Sequence, residues 1–325
     1  MSRPLFLIIL ICLTLGTLTI ATLIGSASLS PAEAIKSLTG SGDPMIRELI
    51  FELRLPRVLT AFGTGAALAV AGVMLQVLLR NPLADPYILG TSGGAAVAAL
   101  TAMTFGIAGL FLDLAAFAGA LGSTLLVFTL ARSDGSWSPG RLLLTGVVAA
   151  AGWGALITLI LALSPDTNLR GMLFWLMGDF SFVTNPWPSL AVATAATLAG
   201  LLLARSLNIL ATGPQQATLM GVSVMPLRIG LYFGSSLLTA VAVTTAGTVG
   251  FVGLVIPHLI RLVTGADHRI VVPSAALAGG SLLVMSDLLA RTVVAPRQLP
   301  VGAITAAIGV PLFLILLKRS QPQQD

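Results

Sequence analysis

The chain has 325 residues, of which 56% are hydrophobic and 9% are charged. Soluble domains carry about 25% charged residues, so a water-soluble globular fold is excluded for most of this chain. The formal net charge is +5, but the charges lie between apolar blocks, which favours a membrane over nucleic acid as the partner.

Apolar runs long enough for membrane helices recur along the chain, because a spanning helix needs about 20 mainly apolar residues. The first run has no charge between Arg3 and Glu33. The apolar core of a signal peptide is only about 7–15 residues long, so we interpret the first run as a retained helix. The charge-free windows are 4–32, 58–79, 86–112, 114–131, 142–165, 180–204, 229–260, 270–286 and 298–317.

The window 229–260 is too long for one helix and too short for two full spans. The sequence TTAGTVG (residues 244–250) and Pro257 interrupt it. This pattern predicts a full helix to about Thr245, a glycine turn, and a short helix over about 251–263. The total is ten helices; nine is the alternative, and it would invert the topology of part of the chain.

The segment 205–228, RSLNILATGPQQATLMGVSVMPLR, is too polar to span a membrane. Gly213 followed by Pro214 is typical of a helix end and a new helix start, so we predict two short helices that meet at a corner. The segment is either a simple connector or a docking site for a soluble partner. Its apolar side is formed by Leu207, Leu210, Leu219 and Met220.

The distribution of basic residues orients the predicted helices. With both termini in the cytoplasm, ten of the 17 lysines and arginines lie inside and seven lie outside. The external set includes Arg54, Arg57 and Arg291, against the usual cytoplasmic bias. Asp287 lies four residues before Arg291 on one predicted helix. The carboxylate either neutralises Arg291 or holds it toward the outside.

Residues for catalysis or metal binding are scarce. Lys36 and Lys318 are the two lysines, and neither belongs to a phosphate-binding loop. The single Cys12 excludes a cysteine-based metal cluster, and His258 and His268 lack a metal-binding spacing. We therefore expect no catalytic residue, cofactor or metal ion in this chain. An intramembrane enzyme ranks last among the functions considered.

Three stretches together carry a resemblance to a known family. They are LRLPRVLTAFGTGAALAVAGVMLQVLLRNPLADPYILGTSGGA, GTVGFVGLVIPHLIRLVTGADHR and LPVGAITAAIGVPLFLILLKR. With them the chain resembles the FecCD-type permease subunits of ABC importers for iron-siderophores, haem and vitamin B12. The resemblance implies an all-α bundle of about ten transmembrane helices, the type II importer fold, as one permease domain over residues 1–325.

The resemblance also implies partners. These are a second copy of the chain around a central pathway, cytoplasmic ATPase subunits that hold ATP and Mg²⁺, and a periplasmic substrate-binding protein. The location implied is the bacterial inner membrane. An ATP-independent secondary transporter or channel is the alternative, and it would need ion ligands inside the bundle. The motifs do not distinguish the cargo.

Site residues follow from the same resemblance. Arg54, Arg57 and Arg291 match external arginines that dock the binding protein, and they would pair with its carboxylates. The loop of about 205–228 matches the ATPase-coupling loop of the family. Relatives often carry an acidic residue after the loop glycine, whereas Pro214, Gln215 and Gln216 follow Gly213 in this chain. Because this acidic residue is missing, we expect apolar and main-chain docking to the ATPase. The expected coupling residues are Leu210, Gly213, Pro214, Gln215, Gln216, Ala217, Met220 and Gly221.

Overall fold

The computed structural model describes residues 3–25, 33, 36, 43–132, 138–181, 183 and 185–320, and every regular element in these ranges is helical. The predicted all-α class is therefore confirmed. A π-helical turn spans Leu49–Arg54 and a 3₁₀ turn spans Pro86–Leu89. The α-helices are α1 (Arg3–Leu23), α2 (Pro44–Glu48), α3 (Leu55–Leu79), α4 (Thr91–Thr104), α5 (Leu110–Ala131), α6 (Pro139–Leu163), α7 (Asp166–Met177), α8 (Trp187–Leu202), α9 (Ala204–Thr212), α10 (Pro214–Leu219), α11 (Val224–Ala246), α12 (Val252–Thr264), α13 (His268–Thr292) and α14 (Val301–Ser320).

Each of the ten predicted membrane helices has a counterpart in the described ranges. Six helical segments are long and apolar enough to cross a membrane alone, and the pair α8 and α9, bent by 65°, adds a seventh. Of the remaining counterparts, α4 has 14 residues and α12 has 13, and the apolar part of α14 is Val301–Leu316. The predicted break after α11 is confirmed, since α12 begins at Val252 after a turn with Gly247. Helix α7 was missed because its sequence is too polar for a membrane window.

The second membrane helix begins earlier than the charge pattern predicts. The expected window starts at residue 58, whereas helical structure begins at Pro44 and runs without a gap to Leu79, over 36 residues. Arg54 and Arg57 therefore lie inside a helix and not at its mouth. A charge ends an apolar window but does not end a helix, because arginine is a good helix former.

Helices α3 and α13 form the centre of the bundle. Every residue of α3 from Gly63 to Leu78 is buried. A Cβ atom added at Gly65 would collide with the backbone carbonyl of Gly279 on α13, so the two backbones lie against each other. Small residues permit this close approach in membranes.

Two turns lie within the bundle: the 3₁₀ turn Pro86–Leu89 and the turn between α11 and α12. Asp85 caps the 3₁₀ turn by accepting a hydrogen bond from the backbone N–H of Tyr87 at 2.8 Å. This cap begins the 3₁₀ turn, and the third membrane helix starts after it, at Thr91. The Tyr87 hydroxyl accepts a hydrogen bond from the N–H of Val249 at 3.1 Å. The turn after α11 is thereby fixed within the bundle.

The ends of α3 and α13 define two opposite ends of the molecule. Each helix has 25 residues, which gives a length of about 37 Å. The start of α3 and the end of α13 lie beside the end of α1. The end of α3 and the start of α13 lie beside α9. The three arginines and the loop of residues 205–228 are therefore at opposite ends of the bundle, as the topology requires.

Candidate docking and coupling sites

A buried carboxylate organises the first end of the bundle. The side chain of Asp287 on α13 is only 1% exposed. Its carboxylate accepts hydrogen bonds from both Nε and Nη2 of Arg57 on α3. The Arg57 Nη2 atom lies 2.7 Å from Asp287 Oδ1, and Nε lies 3.0 Å from Oδ2. Arg291 Nε lies 3.5 Å from the same carboxylate. The predicted Asp287–Arg291 pair exists, but Arg57 makes the shorter and bidentate contact.

The other guanidinium groups hold the end of α1. Arg54 Nη1 donates to the carbonyl oxygen of Leu23 at 2.6 Å, and Arg291 Nη2 donates to the carbonyl of Ala21. The last carbonyls of a helix have no partners within the helix, so these arginines satisfy groups that would otherwise be left unpaired. We call Arg54, Arg57, Asp287 and Arg291 the arginine cluster.

The arginine cluster differs from its prediction in exposure. Arg54 and Arg291 were expected to point outward, yet they are only 5% and 4% exposed. Arg57 is the most accessible, with a side chain that is 12% exposed. The sequence placed all three at helix ends but did not reveal that the end of α1 and Asp287 would cover them. Their role in docking a binding protein stays a prediction.

Two polar residues that the sequence did not single out extend the arginine cluster. The side-chain oxygen of Gln298 lies 3.5 Å from Arg57 Nη1. The Ser181 hydroxyl lies 2.5 Å from that same Gln298 oxygen and 2.5 Å from Asp179. The loops before α8 and before α14 are thus joined to α3. Only the fold brings these residues together, because they are distant in sequence.

The opposite end carries the predicted corner of two short helices. Helix α9 ends at Thr212, and α10 begins at Pro214 after Gly213, whose φ of 134° is unfavourable for residues with a side chain. Leu210 and Ala217 are buried, and so is Gly213. Leu210 was expected to take part in coupling to the ATPase. It is buried against the bundle and does not belong to the exposed side of the corner. Its role in coupling stays a prediction.

The exposed side of the corner consists of other residues. Leu219 is 88% exposed and Met220 is 65% exposed, although both are large and apolar. Gln215, Gln216 and Gly221 are exposed too, and Pro214 is half-buried. A surface of this kind suits a partner protein better than water. We call Gln215, Gln216, Leu219, Met220 and Gly221 the corner surface.

One side chain ties the corner to the centre of the bundle. Asn208 on α9 donates from Nδ2 to Asp267 Oδ1 at 2.9 Å. Its Oδ1 accepts from the backbone N–H of His268 at 2.9 Å and lies 2.6 Å from the Nδ1 of that residue. Asp267 caps α13 through the N–H of Arg269. Asn208 therefore holds the first turn of α13, and sequence analysis missed it because its partners lie about 60 residues away.

The described residues contain no group of three or more His, Cys, Asp or Glu side chains that would suit a metal ion. Charged groups mark one end of the bundle, and exposed apolar side chains mark the other. They are connected through α13, which carries Asp287 and Arg291 near its end and meets Asn208 at its start.

Comparison with known proteins decides the family. The model of the FecCD transport family matches residues 7–319. This chain belongs to the FecCD transport family. The hemin transport permease HmuU of Yersinia pestis is 41% identical to this FecCD chain over 334 residues, which cover 98% of this chain and 96% of that protein. The vitamin B12 import permease BtuC of Vibrio cholerae is 38% identical, covering 96% and 93%.

Solved structures agree with this assignment. An inward-facing metal-chelate-type ABC transporter has 34% sequence identity and a TM-score of 0.86, covering 97% of the FecCD chain and 99% of its own. A ferric dicitrate permease, FecD of Escherichia coli, is also among the relatives. The FecCD chain is a multi-pass membrane protein with an importer permease fold.

Proposed function

We propose that this FecCD permease imports a metal chelate from the periplasm to the cytoplasm, through the bacterial inner membrane and with energy from a separate ATPase. The relatives named for hemin, vitamin B12 and ferric dicitrate support this cargo class. The observation that carries the proposal is the continuous helix α13, which joins the arginine cluster to the corner held by Asn208.

We propose that the corner surface docks the ATPase and that both termini of the chain lie on the same, cytoplasmic side. ATP and Mg²⁺ bind the partner and not this chain. Closure of the ATPase subunits would displace α9 and α10, and Asn208 would transmit this displacement to α13. A bound nucleotide shifts the permease between its states only as far as it binds the two states with different affinity.

Replacing Leu219 and Met220 together by aspartate is expected to reduce ATPase recovery in a pull-down by at least about tenfold. Two large exposed apolar side chains at an interface each contribute on the order of 1–2 kcal/mol. Replacing Phe105, which follows the end of α4, is 78% exposed and lies outside the corner surface, by aspartate is the control. Unchanged ATPase recovery with the double variant would contradict the docking site.

We propose that the binding protein docks at the opposite end, where the Arg57 side chain is the most accessible guanidinium group of the arginine cluster. A guanidinium group at the surface favours a partner that presents acidic side chains. Arg54 and Arg291 lie buried behind it. Gln298 and Ser181 extend its polar surroundings.

The change Arg57→Gln is expected to slow association of the cognate binding protein by roughly three- to tenfold at low salt, since steering by charge acts on the association rate. The measurement is surface plasmon resonance at two salt concentrations. The control is Arg170→Gln on α7, where the arginine is exposed but lies outside the arginine cluster. Equal rates for the wild type and Arg57→Gln would reject this docking end.

We propose that a second copy of the chain completes the transport pathway through the membrane. Helix α6 is almost entirely exposed in the single chain, with Leu144, Val148 and Leu163 more than 60% exposed. A Cβ added at Gly152 or Gly154 would meet no atom within 4 Å. Small residues beside large apolar ones favour helix association in membranes. We therefore propose a homodimer in which α6 contributes to the contact.

The proposed function is tested by reconstitution in liposomes with the ATPase and the binding protein. Uptake of a ferric siderophore, hemin or cobalamin is expected only when ATP is supplied on the ATPase side. Uptake by the permease alone, driven by an ion gradient, would instead establish the secondary transporter.

A further inference from the structure

A groove of about 970 Å³ runs between α8 and α11 at the end that carries the corner. It is lined mainly by apolar side chains, among them Val192 and Ala196 of α8 and Leu231 and Leu238 of α11. Met74 of α3 also lines it. The volume is at the upper end of the range of about 300–1,000 Å³ for small-molecule sites. Met220 and Gly221 of the corner surface line its rim, and the rest of its lining belongs to neither docking site described above.

The dimensions of the groove match one leaflet of a membrane. Its α11 wall extends from Pro226 to Leu238, a length of about 18 Å at 1.5 Å per residue. Half of a hydrocarbon core of about 30 Å is about 15 Å. Exposed Leu198, Leu202 and Leu237 lie on the same two helices. Such a surface within a membrane span faces acyl chains, so a lipid tail can enter the groove from the side.

Polar and basic groups line the corner end of the same groove. Arg205, Ser206 and Ser223 belong to its lining. Arg205 is exposed and has no ion-pair partner among the residues that the structure describes. An adjoining recess of about 620 Å³ is lined by Arg228. The Nε atom of Arg228 is buried and has no hydrogen-bond partner within the described ranges. A buried donor of this kind favours an acceptor supplied by a ligand.

We propose that the groove binds one anionic phospholipid of the cytoplasmic leaflet. An acyl chain lies along α8 and α11, and the phosphate lies at Arg205 with Arg228 beside it. Guanidinium groups bind phosphate by charge-assisted hydrogen bonds, and basic pockets between membrane helices on the cytoplasmic side suit anionic headgroups. A zwitterionic lipid offers the same tails without the net negative charge, so the preference for charge is the property to measure.

Native mass spectrometry of the purified full-length chain tests this site. The probes are phosphatidylglycerol and phosphatidylcholine with identical acyl chains. The wild type is expected to retain phosphatidylglycerol about fivefold better or more, which corresponds to about one arginine contact at a membrane surface. Arg205→Gln is expected to abolish this preference. Arg141→Gln, at an exposed arginine in the first turn of α6, is the matched control and should leave the preference unchanged.

Ala196→Trp tests the apolar part, because the indole would occupy the groove and reduce retention of both lipids. Equal retention of the two lipids by the wild type would overturn the proposal. An equal loss of the preference for phosphatidylglycerol in Arg205→Gln and Arg141→Gln would also overturn it. The same holds if tail-free glycerol phosphate binds with the same affinity as phosphatidylglycerol. Disulfide-linked dimers from Cys12→Ser/Ala196→Cys would show that a second chain occupies the groove, and would also overturn it.

Discussion

Asp287→Asn is expected to lower the free energy of unfolding by about 3–5 kcal/mol, the largest effect of any single substitution considered for this permease. Removing one partner of a buried ion pair leaves an uncompensated buried charge, and losses of about this size follow. Here the remaining charges are Arg57 and Arg291, which both contact Asp287. The measurement is equilibrium unfolding in mixed micelles of the chain alone.

Asp113→Asn is the control for this change. Asp113 lies in the first turn of α5 and is exposed, so the same chemical change should alter the free energy of unfolding by less than about 0.5 kcal/mol. The double variant Arg57→Met/Asp287→Leu should recover part of the loss, because it removes a charge from each side of the pair. If Asp287→Asn unfolds like the wild type, the arginine cluster does not stabilise the bundle.

This expectation changes how the proposed docking role of the arginine cluster should be tested. Reversing Arg57 or Arg291 to glutamate would place a second carboxylate against Asp287, and like charges at this distance repel. Loss of binding-protein docking in such variants would then report unfolding as readily as a lost contact. The neutral change Arg57→Gln avoids a second buried negative charge and is the cleaner variant.

The sequence predicted the helices well because their signal is local. Long apolar windows need only neighbouring residues, and the break after α11 was evident from glycines within one stretch. Arg54, Arg57 and Arg291 were singled out from the sequence, because their predicted external position contradicts the usual charge bias. The partners of these arginines were not found. Asp287 lies 230 residues from Arg57, and no local pattern specifies that contact.

The corner shows a second limit of the sequence. Leu210 and Leu219 both belong to the segment 205–228, and nothing in their immediate neighbours distinguishes the buried one from the exposed one. The structure buries Leu210 and exposes Leu219, because α9 packs on the bundle whereas α10 turns away after Gly213. Tertiary packing decides which face of a short helix is exposed, so the sequence could not show that Met220 would be exposed and Leu210 buried. The role of both residues in coupling stays a prediction.

Asn208→Ala is expected to reduce ATP-driven uptake by about 5- to 150-fold, the range of coupling free energies of about 1–3 kcal/mol between distant sites. The substitution removes the contacts of the Asn208 side chain with Asp267 and His268 at the start of α13. Asn208 lies on α9, and the corner surface begins after α9 ends. ATPase docking should therefore remain, while movement of the corner would no longer reach α13.

Two measurements separate this uncoupling from a simple loss of folding or assembly. Basal ATP hydrolysis by the assembled complex should stay within about twofold of the wild type, whereas the stimulation of hydrolysis by the binding protein should fall with uptake, because both depend on the same link through α13. Thr212→Ala is the matched control, since Thr212 is on α9 and its hydroxyl donates, among the residues that the structure describes, only to the backbone carbonyl of Ile209 of the same helix. If Asn208→Ala retains full uptake and stimulation, α9 drives the permease by another route, and the corner surface remains a docking site without this link.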